Sequence, residues 1–257
     1  MVNLTFGEIT ALLGQLWWPF FRFSAAFMTM PFFGNAYMPN RVRILLALTI
    51  SILAAPLLPA MPEVDPVSIH AIAIALEQIA IGALLGISLH FLFAAMAMVG
   101  QIISMQMGLG MAMMNDPANG VTVALIGNYF LMFTTLMFLA LDGHLVALDI
   151  VVQSFDRFPV GGGISDTSLR YLIGLFSWMM TAAVSIALPT IAAMLTVNLT
   201  FGVMNRAAPS LNVFALGFPM SMILGLCAVL LSLSGLPSIY AELTHHILSD
   251  MKLIGGS

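Results

Sequence analysis

Charged residues are scarce in this sequence. Only 7% of the 257 residues are charged, as 7 lysines and arginines against 11 aspartates and glutamates, while 61% are hydrophobic. Soluble domains carry about 25% charged residues, so a chain of this size has too few charges to cover a water-exposed surface. This composition excludes a free cytosolic enzyme and a disordered chain. The lack of a basic face excludes a nucleic-acid-binding protein.

Cysteine and the motifs of enzyme chemistry are nearly absent as well. The single cysteine, Cys227, excludes an intrachain disulfide framework and a multi-cysteine metal site. The sequence has no metalloprotease, nucleophile-elbow, phosphate-loop or dinucleotide-binding pattern. Two small clusters, Asp142 with His144 and Glu242 with His246, are each incomplete as a metal site. We therefore expect no catalysis, no cofactor and no bound metal.

Long apolar runs are what the sequence does have. A membrane-spanning helix needs about 20 apolar residues, and these runs are too long and too continuous for the strands of a membrane barrel. They predict an all-α, polytopic helical membrane protein with broken helices. The six candidate helical regions are residues 9–30, 44–61, 67–99, 121–141, 171–198 and 213–234. The prolines that predict breaks in or near them are Pro19, Pro56, Pro189 and Pro219.

The first two connections carry a weak topology signal. The first run is not a convincing cleaved signal peptide, because Glu8 precedes it and Arg22 lies within it. The connection after it contains Arg41 and Arg43 and no acid, whereas the next connection contains acids and no base. The positive-inside rule therefore places the first connection in the cytoplasm.

A few polar or small residues stand out inside the apolar runs. Glu77 either carries a proton, or pairs with an arginine, or is a structural hydrogen-bonded acid, and Arg22 is one candidate partner. Gly82 and Gly86 have the small-xxx-small spacing that lets two helix backbones approach closely, in an assembly or within one chain. Arg206, between the last two runs, is either a topology anchor or a contact between subunits.

Residues 100–120, GQIISMQMGLGMAMMNDPANG, differ from every other segment. Five of the ten residues from Met105 to Met114 are methionine. Gly108 and Gly110 disfavour a regular helix there, and Asp116 precedes a proline in a turn-forming sequence. Methionine side chains are flexible and polarizable, so they close around irregular shapes. The segment is either a gasket in a conduit or a methionine-rich packing loop.

Several blocks of this sequence, in order, resemble the FliR family of type III secretion export-gate proteins, whose virulence-system relatives are called SctT. Together they cover nearly the whole chain. The blocks are Pro31–Gly34, Met38–Arg43, Glu77 with Gly82 and Gly86, Gly100–Pro117, Asp142–His144 with Ser154 and Phe155, Pro189–Asn198, Gly202, Asn205–Pro209 and Asn212–Phe214.

The resemblance implies a subunit of a closed helical export gate in the flagellar basal body of the bacterial inner membrane, raised toward the periplasm. One copy would assemble with several copies of FliP and FliQ, next to FlhB and other export-apparatus proteins, in contact with lipid and with unfolded flagellar subunits in transit. Residues about 1–200 would be FliP-like and about 171–257 a FliQ-like hairpin, within one integral domain of residues 1–257. The apparent spans would form bent hairpins rather than six conventional crossings.

The resemblance also implies roles for individual residues. The methionine-rich segment matches the family loop that plugs the pore, and its sealing residues would be Met105, Gln106, Met107, Gly108, Gly110, Met111, Met113 and Met114. Polar residues expected at subunit contacts or in structural roles are Arg41, Arg43, Glu77, Asp116, Asp142, His144 and Arg206. The alternative function is a self-contained secondary transporter with Glu77 and Asp142 as coupling residues.

Overall fold

The computed structural model describes residues 6–34, 38–62, 64–65, 68–109, 125–164, 166–207 and 213–253. Within these ranges the regular structure consists of eight α-helices and one short 3-10 helix, with no strand. The prediction of an all-α chain is therefore confirmed.

Each of the six predicted apolar regions contains a helix. Two further helices lie outside that pattern, because one follows a break at Asp142 and the other, near the C-terminus, mixes charged residues with apolar ones. The helices are α1 (Phe6–Thr29), α2 (Asn40–Ala54, extended by a 3-10 turn at Ala55–Leu57), α3 (Ile69–Gln106), α4 (Leu125–Ala140), α5 (Gly143–Arg157), α6 (Asp166–Ala207), α7 (Val213–Ser232) and α8 (Leu236–Leu253).

Prolines break fewer helices than the sequence predicts. Pro19, Pro189 and Pro219 lie inside α1, α6 and α7, with helix on both sides, so breaks at these three positions are wrong. A proline removes a single hydrogen bond to the preceding turn, and bilayer-type helices tolerate this where neighbouring groups satisfy the freed carbonyl. Only Pro56 coincides with a helix end, in the turn that follows α2.

The chain folds into two compact units. The first unit consists of Met1–Leu92, Asp142–Phe176 and Thr244–Ser257. Its core is aromatic where α1 packs: the Phe23 ring centroid lies 6.2 Å from that of Phe155, and the Phe27 centroid lies 4.7 Å from that of Phe33. These side chains are almost completely buried, so α1 packs on α5 through Phe23 and on the turn that follows α1 through Phe27.

The second unit consists of Phe93–Leu141 and Ser177–Leu243. Within it the rings of Phe93 and Phe138 meet edge to face with centroids 5.5 Å apart. Gly100 and Gly127 bring α3 and α4 into backbone contact: a Cβ on Gly100 would lie 2.5 Å from the Cα of Gly127. The close approach needs glycine, because side chains would hold the two helices apart.

Three helical segments are long and apolar enough to cross a membrane, namely α2 with its 3-10 turn, α3 and α6. Two bent pairs, α4 with α5 and α7 with α8, raise the number to five if each pair counts as one span. The chain is thus a polytopic helical membrane protein, as predicted. Six separate spans are not found in the described ranges, because polar residues such as Gln15 and Arg22 lower the hydropathy of α1.

Candidate functional site

A completely buried arginine lies at the centre of the first unit. Arg22 of α1 donates from Nε to the Gln78 side-chain oxygen at 2.8 Å, and Nη2 donates to the same oxygen. Nη1 donates to Ser154 Oγ at 3.0 Å, and Nη2 also donates to the Phe158 carbonyl oxygen at 2.8 Å. The guanidinium carbon lies 3.8 Å from the centroid of the Phe155 ring. Burying this charge is tolerable because each of the three guanidinium nitrogens donates to an acceptor.

Glu77 joins this network without contacting the arginine. Its carboxylate accepts a hydrogen bond from the Gly161 backbone N–H at 3.1 Å and one from the Gln78 side-chain amide at 3.3 Å. The predicted candidate pairing of Glu77 with Arg22 is therefore indirect, since Gln78 lies between them. Of the interpretations open for Glu77, a hydrogen-bonded structural role is the one these contacts support.

We call Arg22, Glu77, Gln78 and Ser154, with the backbones of Phe158 and Gly161, the arginine cluster. It ties α1, α3, α5 and the turn after α5 together. Sequence reasoning identified the two charged members but missed the others. The signal was available in part, because an arginine inside an apolar run needs buried acceptors, and a glutamine next to Glu77 is one.

Gly82 and Gly86 face α1 of the same chain. A Cβ on Gly82 would overlap the Arg22 carbonyl oxygen and lie 3.0 Å from the Ala25 Cβ. A Cβ on Gly86 would overlap Thr29 Oγ1 and lie 2.8 Å from the Ala26 carbonyl oxygen. The small-xxx-small pair therefore serves close packing of α3 on α1, directly beside the arginine cluster.

The other predicted arginines differ in exposure. Arg43, almost completely buried, donates from Nε to the Phe33 carbonyl oxygen at 3.0 Å and from Nη1 to the Asn40 side-chain oxygen at 3.3 Å. It therefore stabilises the connection between α1 and α2. Arg41 and Arg206 are exposed, the latter in the last turn of α6.

Asp142 and His144 lie at the break between α4 and α5. Asp142 has a left-handed backbone, with φ of 54°, and its carbonyl oxygen accepts the N–H groups of Leu145 at 2.9 Å and Val146 at 3.2 Å. Aspartate is one of the few residues besides glycine that adopt this conformation. His144 is half-buried. Across the described part of the chain, no three potential metal-ligating side chains come together.

The methionine-rich segment is described up to Leu109. Met105 is 61% exposed, Met107 is 1% exposed, and Gln106 is half-buried. Gly108 has a φ of 80°, its N–H bonds the Met105 carbonyl oxygen at 3.1 Å, and the Leu109 N–H bonds the Ser104 carbonyl oxygen at 3.1 Å. This pattern closes the end of α3. The predicted residues Gly110, Met111, Met113, Met114 and Asp116 lie outside the described residues.

The described part of the segment thus has one open and one enclosed methionine at a helix end capped by glycine. The Gly100–Gly127 contact holds α3 against α4 at the two sides of the undescribed residues 110–124. The arrangement presents apolar, polarizable surface next to a fixed helix end, and it offers no acid, base or nucleophile.

Comparison with known proteins gives matches over nearly the full length. The pattern of the family described as "Bacterial export proteins, family 1" matches residues 13–247. The flagellar biosynthetic protein FliR of Escherichia coli (strain K12) is 32% identical over 252 residues, which covers 98% of this chain and 95% of that protein. FliR of Pectobacterium carotovorum subsp. carotovorum is 33% identical over 253 residues, with the same coverage of both chains. FliR of Aquifex aeolicus (strain VF5) is 31% identical over 236 residues, which covers 91% of this chain and 90% of that protein.

Proposed function

This chain belongs to the FliR family of bacterial flagellar export proteins, a transport component rather than an enzyme, and we propose that it is a core subunit of the flagellar type III export gate. The observation that carries the proposal is similarity to flagellar FliR proteins over 98% of the chain. With FliP and FliQ it would form the conduit through which unfolded flagellar proteins leave the cell. It would lie in the inner membrane at the flagellar basal body.

Exposed apolar side chains indicate that much of this surface is covered by other subunits or by lipid. On α2 alone, Leu45, Leu53 and the adjoining Leu57 are 61%, 69% and 75% exposed. Faces of this kind need another apolar surface or lipid to cover them. We propose that several copies of FliP and FliQ cover most of them, with FlhB and lipid beside the gate. In the same proposal, residues about 1–200 are FliP-like and about 171–257 are FliQ-like.

Native mass spectrometry tests the assembly. The tagged chain is co-expressed with the products of its neighbouring genes and purified in mild detergent. We expect one copy of this chain bound to several copies of two smaller helical membrane proteins. A well-folded monomer or homodimer that captures neither would contradict the proposal and would favour a self-contained transporter. In this structure Glu77, one of the two coupling residues of that alternative, is hydrogen-bonded within its own chain, which favours a structural role for it.

We further propose that the methionine-rich segment plugs the conduit. Thioether contacts are weak and non-directional, so a polypeptide of any sequence slides past them without being trapped. At rest, the closed segment limits the passage of ions. The open side chain of Met105 and the end of α3 at Gly108 support this proposal. The energy for export would come from elsewhere in the machine.

Deleting residues 106–114 tests the plug. We expect the assembled complex to survive while ions leak through the membrane, measured as potassium efflux from cells or as current in a reconstituted bilayer. A milder test replaces Met105 by alanine and compares it with Met28→Ala, since both methionines are similarly exposed, at 61% and 54%. If the deletion assembles and does not leak, the segment is a packing loop and not a plug.

A further inference from the structure

Met105 and Met107 have opposite surroundings although only one residue separates them. Met105 is 61% exposed, whereas Met107 is 1% exposed. A methionine side chain has many rotamers of similar energy, so burying the side chain removes most of its conformational freedom. Met107 is therefore a fixed point at the start of a segment whose composition favours adaptability.

Gly225 of α7 provides the space that Met107 fills. A Cβ on Gly225 would overlap the Cγ of Met107 and would lie 3.0 Å from its Sδ and 3.1 Å from its Cε. Three consecutive atoms of the side chain thus lie across the glycine. Ser221 and Val229, one turn to either side of Gly225, are also buried, so the glycine is a notch in the inward face of α7.

The backbone changes direction immediately after this contact. Met107 still bonds to the preceding turn, its N–H to the Ile103 carbonyl oxygen at 3.0 Å, and the next residue, Gly108, has left-handed φ. The contact with Gly225 therefore lies at the last residue before the backbone leaves the direction of helix α3. Whatever fixes Met107 also fixes where residues beyond Gly108 start.

We propose that Gly225 is a positioning residue of the gate: its missing side chain forms a notch that anchors Met107 and sets the place from which the methionine-rich segment leaves α3. The inference rests on the proposed plug function. It adds a second helix to that function, because it makes α7, which lies outside the methionine-rich segment, part of the closing mechanism.

The first test replaces Gly225 by alanine in the full assembled complex. The added Cβ pushes Met107 out of the notch, and because core overpacking is costly we expect ion leakage to rise on the order of tenfold. The matched control is Gly217→Ala on the same helix, where a Cβ meets nothing within 4 Å. Both changes replace glycine by alanine within α7, and only the change at Gly225 meets Met107.

The second test is a double-mutant cycle between the two residues. Met107→Ala removes the anchor from the other side without any overlap, and we expect it to leak as well. In the Met107→Ala background, Gly225→Ala should then add little leakage, because the contact is already lost. Leakage of the two single variants that multiplies in the double variant would overturn the proposal.

The outcomes separate the anchor from the plug. If deletion of 106–114 leaks but Gly225→Ala leaks no more than Gly217→Ala, the anchor is wrong and the plug stands. If the deletion does not leak, both are wrong. If Gly225→Ala fails to assemble, Met107→Ala decides the question: leakage from an assembled complex supports the anchor, and a tight complex overturns it.

Discussion

Replacing Arg22 by alanine is expected to destabilise the first unit strongly. The arginine supplies four hydrogen bonds to three acceptors and a cation–π contact to Phe155. Its removal leaves the oxygens of Gln78 and Phe158 buried without that donor, and it opens a cavity. Hydrogen bonds to charged groups contribute about 1.5–3 kcal/mol each, with incomplete additivity, so a loss of about 3–5 kcal/mol is expected.

The measurement is the thermal unfolding midpoint of the purified protein in detergent, together with the amount of chain that accumulates in membranes. Arg41→Ala is the matched control, because it removes the same side chain from an exposed position. It should change stability by no more than about 0.5 kcal/mol. Arg22→Lys should give an intermediate result, since an ammonium keeps the charge but lacks the planar fork. Equal midpoints for Arg22→Ala and Arg41→Ala would show that the cluster does not stabilise the fold.

Gly82→Leu should prevent the chain from folding, and Gly82→Ala should already weaken it. The atom that an added Cβ meets is the Arg22 carbonyl oxygen, which belongs to helix backbone and cannot rotate away. Relief requires α3 to move away from α1, which would also pull Gln78 from Arg22. Overpacking of this kind costs about 1–3 kcal/mol for the smallest change, and more for larger side chains.

Accumulation in membranes and size-exclusion profiles report this effect. Gly202→Ala in α6 is the control, because an added Cβ there has nothing within 4 Å. Helix propensity alone predicts a stabilisation of up to about 1 kcal/mol for that variant. The two glycine variants should therefore change stability in opposite directions. A Gly82→Leu chain that accumulates and elutes like the unmodified chain would mean that α1 and α3 do not pack as closely as described.

The helices were largely predictable because long apolar runs determine them. Each predicted region contains a helix, and Gly108 ends α3 as its conformational freedom suggests. The break at Asp142 coincides with the end of the predicted region 121–141 and is followed by Gly143, but no apolar run predicted the separate helix α5 that begins there. The apolar runs did not predict helix α8, because an amphipathic helix with charged residues does not resemble a membrane-spanning run.

The contacts that define the candidate site were much less predictable. Arg22 and Ser154 are 132 residues apart in sequence, and no periodicity links positions at such separation. Nor could composition tell that Met107 is enclosed while Met105 is open, because both lie in the same methionine-rich run and only the position of α7 distinguishes them. Sequence pattern reports local structure and resemblance reports family, while side-chain partners depend on how helices from distant parts of the chain meet.

Because the first unit is built from three separate stretches of the chain, it can fold only late during synthesis. That unit combines Met1–Leu92 with Asp142–Phe176 and Thr244–Ser257, and Ile247 and Met251 of its last part are completely buried. Chains are synthesised from the N-terminus, and a domain folds when all of its parts are available. Arg22 therefore reaches Ser154, its acceptor on α5, only after more than half of the chain has been translated. The unit is complete only when α8 leaves the ribosome. A stalled or truncated nascent chain would leave Arg22 without part of its network and would expose apolar faces, and chaperones and proteases act on unfolded states of this kind.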